Sequence, residues 1–396
     1  MGRPVATLLR HPALEHARAD LTRSDEETLA LQSSLSAIPA PTGSEAERGR
    51  QVAGVMTRTG LRDIATDHVG NVTGWLGPHG SPALVIAAHL DTVFGPEVDV
   101  SVRRAGSRLT GPGITDNARG LAGMLTLGRI IVAHGWRTAT PIALVATVGE
   151  EGAGNLKGIK HVFRDGGLAA HAVLVLDGAG DDRIVHAALG SRRFRVTYRG
   201  PGGHSWAAYG APNPAHAAGA LTHAIGAWPR GRTPPTACSV VGLSGGTGLN
   251  CIPDEAGVEI DLRSEDPAAL ANAEAEVRER ARNACVLENG RRTPGTAPLE
   301  FSIDVIGDRP SGRTSEDDPL VAAGIAATRA IGREPTLAAA STDANIPISL
   351  GVPAIALGAG GRAGETHRTS EWFENADGVR GLYRALLVIA ATAGLQ

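Results

Sequence analysis

Cysteine occurs only at Cys238, Cys251 and Cys285. Three thiols cannot build a disulfide framework, and none stands in a C-x-x-C pair of the kind metals and redox partners use. They are expected to be reduced and packed as small apolar groups. Aromatic residues are just 3% of the chain, so aliphatic side chains and alanine must fill the core. Lysine is nearly missing, since of 38 basic residues only Lys157 and Lys160 are lysines. Against 41 acidic residues the formal charge is −3, and no basic block stands out. That excludes a nucleic-acid partner held by phosphate neutralisation. No apolar stretch approaches the ~20 residues of a membrane span. The first residues, MGRPVATLLRHPALEHARADL, carry charge throughout and lack the apolar centre of a signal peptide. No membrane partner and a cytoplasmic location are therefore expected.

Core material is ample. Hydrophobic residues make up 42% and charged residues 20%, the balance of a folded chain. At roughly 150 residues per domain, 396 residues suggest two or three domains. Residues 24–36 and 44–60 read as amphipathic helices. Four apolar runs without polar alternation read as buried parallel strands: ALVIAA (83–88), PIALVATV (141–148), AVLVL (172–176) and VPAIAL (352–357). GLAGMLTLGRIIVAHG (120–135) between the first two reads as a helix, which makes a strand–helix–strand signature of an α/β sheet.

The middle of the chain reads differently. SRRFRVTYRG (191–200) alternates polar and apolar residues, as a strand with one solvated face does. A helix at 213–228, strands near 236–243 and 256–263, a helix from Asp266 to Cys285 and a strand from Leu299 to Ile306 complete a β-α-β-β-α-β order. That is the ferredoxin-like pattern. The expected organisation is a discontinuous α/β domain, 1–190 with 307–396, interrupted by a smaller domain at 191–306.

Chemistry collects after the buried strands. The first runs into His89-Leu90-Asp91, the second into Gly149-Glu150-Glu151-Gly152, and the third into Asp177-Gly178. The fourth leads to a glycine-rich loop ending Glu365-Thr366-His367, and Asp116 lies in another such loop, GPGITDNARG, before a helix. In open α/β sheets, sites form at the carboxyl ends of the strands. Singly, each signal has a bland explanation: a local His–Asp pair, a solvated Glu-Glu turn, an Asp-Gly turn, a loop histidine. Four together at four strand ends do not. The remaining histidines, His11, His79, His134, His161 and His223 among them, read as helix or loop surface. The GPGG and GGTG sequences lack the lysine or full fingerprint of a phosphate loop.

Imidazoles mixed with carboxylates suit Zn²⁺, Mn²⁺ or Co²⁺. His89, Asp116, Glu151, Asp177 and His367 are too many for one open catalytic zinc. They fit two ions about 3.5–4 Å apart with one carboxylate between them. Of the neighbours Glu150 and Glu151, one can ligate while the other serves as general base.

The motifs AAHLDTV (87–93), GPGITDN (111–117), GEEG (149–152), LDG (176–178), GPGGHS (200–205), GLNCIPD (248–254), DLRSED (261–266), STDAN (341–345) and ETHRTSEW (365–372) occur in this order. The chain thereby resembles the dimeric dizinc metallopeptidases that include peptidase T, carboxypeptidase G, aminoacylase, acetylornithine deacetylase and succinyl-diaminopimelate desuccinylase. The resemblance runs from the helices before His89 to the last helix. It implies a zinc-exopeptidase-like catalytic domain, a mixed sheet flanked by helices, with an inserted ferredoxin-like α+β domain that makes a homodimer.

By the same resemblance His89 and Asp177 would hold one metal, Glu151 and His367 the other, and Asp116 would bridge. Asp91 would fix the tautomer of the ligand histidine, Glu150 would be the general base, and the Asp116-Asn117 bond would be cis. His204 resembles the histidine that reaches the partner's site to stabilise the oxyanion. Asn250 and Arg263 resemble residues that hold the substrate's carboxylate, a task suited to a planar guanidinium. A surface ion pair of Arg263 with Glu265 or Asp266 is the alternative.

Several relatives carry a lysine shortly after the bridging aspartate, where this chain reads Asp116-Asn117-Ala118-Arg119. The GEEGAGNLKG and STDANIPISLGVP stretches look closer to the di- and tripeptidase branch. The expected substrate is a short peptide, with N-acyl or N-carbamoyl amino acids as the alternative and an inactive dimeric binding protein as a distant one.

Overall fold

The two halves of the sheet-forming sequence and the segment between them form separate units in the computed structural model, Met1–Ala188 with Arg313–Gln396, and Leu189–Gly312. The structure describes residues 4–77, 80, 82–246 and 248–396. His79, and Thr247 of the GGTG sequence, lie outside the described residues.

In the first unit the four apolar runs are the strands Ala83–His89, Ile142–Thr147, Ala170–Leu176 and Ala354–Leu357, parallel to one another as expected. Side chains alternate between the two faces of the sheet, and both faces are covered. Leu84, Ile86, Leu144 and Leu174 feed one cluster, while Val85, Ala87, Val145 and Val173 feed another. Burial on both faces is why these strands are aliphatic almost throughout, with polar side chains only near their ends, at His89, Thr147 and His171, each Leu or Val contributing roughly 1.5–3 kcal/mol. Helices Ala118–Ala133 and Gly378–Ala393 cover the first face through Leu121, Leu125, Leu386 and Ile389. Leu156, Ile159 and Ile346 cover the second.

Antiparallel additions make the sheet mixed. Val72–Leu76 and Arg62–Thr66 extend it beyond Ile142–Thr147. On the other side Arg183–Ala188 runs antiparallel to Ala354–Leu357 and pairs with Thr336–Ala340. A helix that sequence reading passed over, Pro12–Arg23, starts with proline in its first turn and the His11 ring accepting the Ala13 N–H at 3.3 Å.

The second unit has the ferredoxin-like order: Gly190–Arg199, Pro214–Gly226, Thr236–Gly245, Glu255–Ser264, Pro267–Asn289 and Glu300–Arg309. Phe194, Val196 and Tyr198 pack against the two helices through Leu221, Ile225, Val277 and Ala281. Across the opposite face Arg193 sits opposite Asp261, Arg195 opposite Glu259 and Arg199 opposite Glu255, each an ion pair. That ladder explains the alternation of 191–200, although each exposed pair contributes at most about 1 kcal/mol. Gly190–Arg199 is an interior strand, and the sheet edges are Thr236–Gly245 and Glu300–Arg309.

Two expectations are corrected. Cys251 is exposed, because it stands in a two-residue strand beside Gly203–His204, whereas Cys285 is buried and Cys238 half-buried as expected of packed thiols. His161 is buried instead of on the surface. Its ring meets His68 edge-on at 4.4 Å, and its nitrogens lie 3.4 and 3.7 Å from the carboxylates of Asp165 and Asp67, which replace water.

Candidate active site

Parallel strands place their carboxyl ends along one edge of the sheet, and the loops that follow converge there. His89 closes its strand and is buried, with Nε2 2.9 Å from Asp116 Oδ1 and 3.9 Å from Asp177 Oδ1. His367 Nε2 lies 3.1 Å from Asp116 Oδ2 and 2.9 Å from Glu151 Oε1. Asp116 therefore stands between two imidazoles with one oxygen toward each. Donor atoms of His89, Asp116 and Asp177 lie within 4.8 Å of one another, as do those of Asp116, Glu151 and His367. His89, Glu150 and Glu151 form a third such group.

Main-chain amides fix these side chains. Asp91 Oδ1 accepts the Glu150 N–H and Oδ2 the Glu151 N–H, both at 2.9 Å, and the Thr42 hydroxyl donates to Oδ2 at 2.8 Å. His89 Nδ1 is 3.1 Å from the Asp91 carbonyl oxygen and 3.5 Å from Oδ1. With its proton on Nδ1, His89 keeps the Nε2 lone pair free for the cluster.

The Asp116-Asn117 peptide is cis. Asn117 Oδ1 accepts the N–H groups of Gly120 at 3.1 Å and Gly178 at 3.2 Å, and its Nδ2 donates to the Leu176 carbonyl at 2.9 Å. One side chain thus caps the helix after Asp116 and ties that loop to the strand end before Asp177. Glu371, fully buried, accepts the Thr115 N–H at 2.7 Å and the Asp116 N–H at 3.0 Å on Oε1, and the His367 N–H at 3.3 Å on Oε2.

Proton affinities report the crowding. Burial opposes the charged form of His89, but the hydrogen bonds to Asp116 and Asp91 outweigh it and hold the imidazole well above its ordinary value. Burial also works against ionised Asp116, yet His367 and His89 hold it below the usual carboxylate range. Hydrogen bonds to Asp116 and Glu151 lift His367 to about 10. Burial, followed by the charge of Asp116, pushes Asp177 up to about 7. Carboxylates and imidazoles gathered at this density meet the electrostatic need of a divalent cation, and the oxygen–nitrogen donor set fits zinc, cobalt or manganese. Beside Asp116 and Asp177 opens a cleft of about 980 Å³, lined also by Asp181, Arg333, Arg362 and Trp372.

His204, Asn250 and Arg263 belong to the second unit. His204 Nδ1 accepts the Trp206 N–H at 3.2 Å, and the Asn250 carbonyl accepts the Ser205 N–H at 2.8 Å, so these two lie side by side. Arg263 donates to Asp261 at 2.7 Å, two residues away on the same strand face. Asp261 is thus its ion-pair partner in place of the expected Glu265 or Asp266, and Asp266 instead caps helix Pro267–Asn289 by accepting the Ala269 N–H at 2.7 Å. Sequence reading gave no role to Thr42, Asp343 or Glu371. Asp343, in STDAN, accepts the Thr147 hydroxyl at 2.5 Å, two residues after which the Gly149-Glu150-Glu151 turn begins.

The sequence profile of peptidase family M20/M25/M40 matches residues 85–392. The chain belongs to that family. A protein of Aeropyrum pernix provisionally described as a LysW-lysine/LysW-ornithine hydrolase is 27% identical over 234 residues, 59% of this chain and 62% of that protein. The uncharacterized protein YgeY of Escherichia coli is 24% identical over 196 residues, 47% of this chain and 45% of YgeY. The chain thus spans less than two thirds of the length of these curated relatives. Aminopeptidase PepT from Bacillus cereus superposes with a TM-score of 0.74 at 22% identity, covering 93% of this chain and 98% of PepT. A tripeptidase from Staphylococcus aureus superposes at 0.73 with 20% identity and the same two coverages. These likenesses show a common fold. Among the described residues no helix is long and apolar enough to cross a membrane.

Proposed function

We propose that this family member is a dinuclear metal-dependent peptidase that hydrolyses short peptides. The observation that carries the reading is Asp116, whose two carboxylate oxygens face His89 and His367 respectively. His89 and Asp177 would hold one ion, Glu151 and His367 the other, with Asp116 shared. Zn²⁺ is the first choice, Co²⁺ and Mn²⁺ the alternatives. A related fold, YxeP of Bacillus subtilis, is described as a dinuclear metal-binding peptidase, which supports the ion count.

Bound divalent ions supply Lewis acidity toward water and the scissile carbonyl. Glu150 accepts a proton from the attacking water and delivers it to the leaving amine, so one water is consumed and a carboxylate and an amine are released. Its main-chain N–H is held by Asp91, which sets the carboxyl beside His89 and Glu151. Asn250 and Arg263 hold the substrate's carboxylate end in this reading. The protein acts as a homodimer through 191–306, where the edge strand Thr236–Gly245 leaves Val241 and Leu243 exposed, and His204 serves the partner's site. Three unpaired cysteines support a reducing, cytoplasmic setting.

A second reading, hydrolysis of N-acyl or N-carbamoyl amino acids, is supported by the likeness to an amidase of the hydantoinase/carbamoylase family from Burkholderia vietnamiensis (TM-score 0.65). A panel of di- and tripeptides, N-acetyl amino acids and N-carbamoyl amino acids decides between them. Glu150→Gln tests the mechanism common to both. Turnover should fall by about 10²–10⁴ while two ions per chain remain by elemental analysis. Near-wild-type kcat would refute the role of Glu150, and failure to take up metal would favour an inactive binding protein.

A further inference from the structure

The loop that carries His367 has an awkward backbone. Glu365 and His367 both lie in the left-handed region, at φ 59° and 67°, where a side chain crowds its own carbonyl. Neither is glycine, so neighbouring structure must hold them there. The cradle is built around Glu371. Its N–H donates to the Arg368 carbonyl at 3.0 Å, and its own carbonyl accepts the Gly111 N–H at 2.9 Å. Its carboxylate, fully buried, accepts three main-chain N–H groups, from Thr115 and Asp116 on one oxygen and from His367 on the other. Residues 365–371 hang between two strands of a small antiparallel sheet, Arg362–Gly364 and Trp372–Glu374, the second of which pairs with Arg108–Thr110 just before the Asp116 loop.

A buried carboxylate that accepts amides from two loops acts as a clamp between them. One loop carries Asp116 and the other His367, two of the three residues in the group Asp116, Glu151 and His367. In the group His89, Asp116 and Asp177 only Asp116 is held this way. We propose that Glu371 is a positioning residue that sets the affinity of the Asp116–Glu151–His367 ion position by clamping two of its three ligands through their main-chain amides. The assignment rests on the two-ion reading given above. It distinguishes the two positions: withdrawing the carboxylate moves two ligands of one and one ligand of the other. Asp91 holds Glu150 and Glu151 in a parallel manner, so each edge of the cluster has its own buried acceptor.

The test is stepwise metal titration of metal-free wild type, Glu371→Gln and Glu371→Asp, with Co²⁺ followed by its visible absorption and Zn²⁺ by calorimetry. Glutamine turns one acceptor into a donor facing an N–H, while aspartate keeps the charge and shortens the reach. Both variants should retain tight uptake of one ion and bind the second about 10–100-fold more weakly, with Glu371→Asp the milder. Circular dichroism and melting of the metal-free proteins separate this from unfolding. Second-site affinity equal to wild type in either folded variant overturns the proposal, and so does equal weakening of both sites. Loss of the folded state in both variants overturns it too, because Glu371 would then be a core residue. A wild type that takes up fewer than two ions refutes the two-ion reading itself.

Discussion

The side chain of Asp91 holds the main chain of Glu151: Asp91 Oδ2 accepts the Glu151 N–H at 2.9 Å. The carboxylate of Glu151 is thereby left to face His367. Asp91→Asn replaces one acceptor with an amide that cannot satisfy the same N–H and weakens the hold on the His89 tautomer. Metal affinity and kcat/KM should each fall about 10–100-fold. Steady-state kinetics with and without excess Zn²⁺ measures both. Unchanged metal affinity would rule out the orienting role of Asp91.

Gly120 shows how closely the helix after Asp116 approaches the strand before Asp177. A Cβ there would lie 2.1 Å from Asn117 Oδ1 and 2.4 Å from the Leu176 carbonyl oxygen. Gly120→Ala should cost about 1–3 kcal/mol of stability through overpacking. Gly219, exposed in helix Pro214–Gly226 with nothing within 4 Å of a built Cβ, is the control. There alanine should gain up to about 1 kcal/mol from helix propensity. Urea denaturation read separately for the two variants should give opposite signs.

Acid stability has a definite local contributor. Asp181 Oδ2 meets Arg380 Nε at 2.8 Å and Arg333 Nε at 3.1 Å. Burial opposes its charge, but the hydrogen bonds from Arg380 and Arg333 hold the carboxyl below its ordinary value. Stability from a depressed carboxyl is fully present above the unfolded value of about 3.9 and is lost as pH falls through the lower folded one. Asp181→Asn should therefore melt earlier than wild type at pH 7, and the gap should close as the pH falls through the lowered folded value of Asp181. A gap that persists in acid would assign the effect to packing.

Subunit mixing probes His204. If it acts in the partner's site, inactive His204→Ala and inactive Glu150→Ala proteins should regain activity once their subunits exchange. The heterodimer has one site with both residues intact. Loss of an oxyanion donor typically costs about 10²–10³ in kcat, so the recovered signal stands well above either parent. Demonstrated exchange without recovery would refute action in trans.

The buried strands were legible because Ala83–His89, Ile142–Thr147 and Ala170–Leu176 are apolar on both faces. The flanking strands were not. Arg62–Thr66 is polar and largely exposed, and Thr336–Ala340 reads TLAAA, a composition equally at home in a helix. Helix Pro12–Arg23 carried its signal in Leu14, Ala17 and Leu21, spaced three and four apart and all buried. That His89, Asp116, Glu151, Asp177 and His367 converge could be read because metal-ligating side-chain types recur at the strand ends and in the loops that follow them. Glu371 and Asp343 could not. Glu371 acts on backbone amides, which every sequence possesses, and Asp343 acts on one threonine hydroxyl far away in the chain. Arg263 pairs with a residue on its own strand face, two positions back, a period-two relation that a search among its following neighbours passes over.

Strand Ala354–Leu357 lies between Ala170–Leu176 and Arg183–Ala188, although Leu189–Gly312 intervenes in the chain. During synthesis the ribosome delivers His89, Asp116, Glu151 and Asp177 first, then the whole inserted unit, and His367 only near the end. A nascent chain that has reached Gly312 holds two strands with open edges facing the gap that Ala354–Leu357 will fill. Such edges recruit other strands and invite misassembly. The inserted unit can complete its own sheet in that interval, while the surrounding sheet stays open. In the proposed two-ion reading, the Asp116–Glu151–His367 position therefore cannot be completed until the end of the chain has been made.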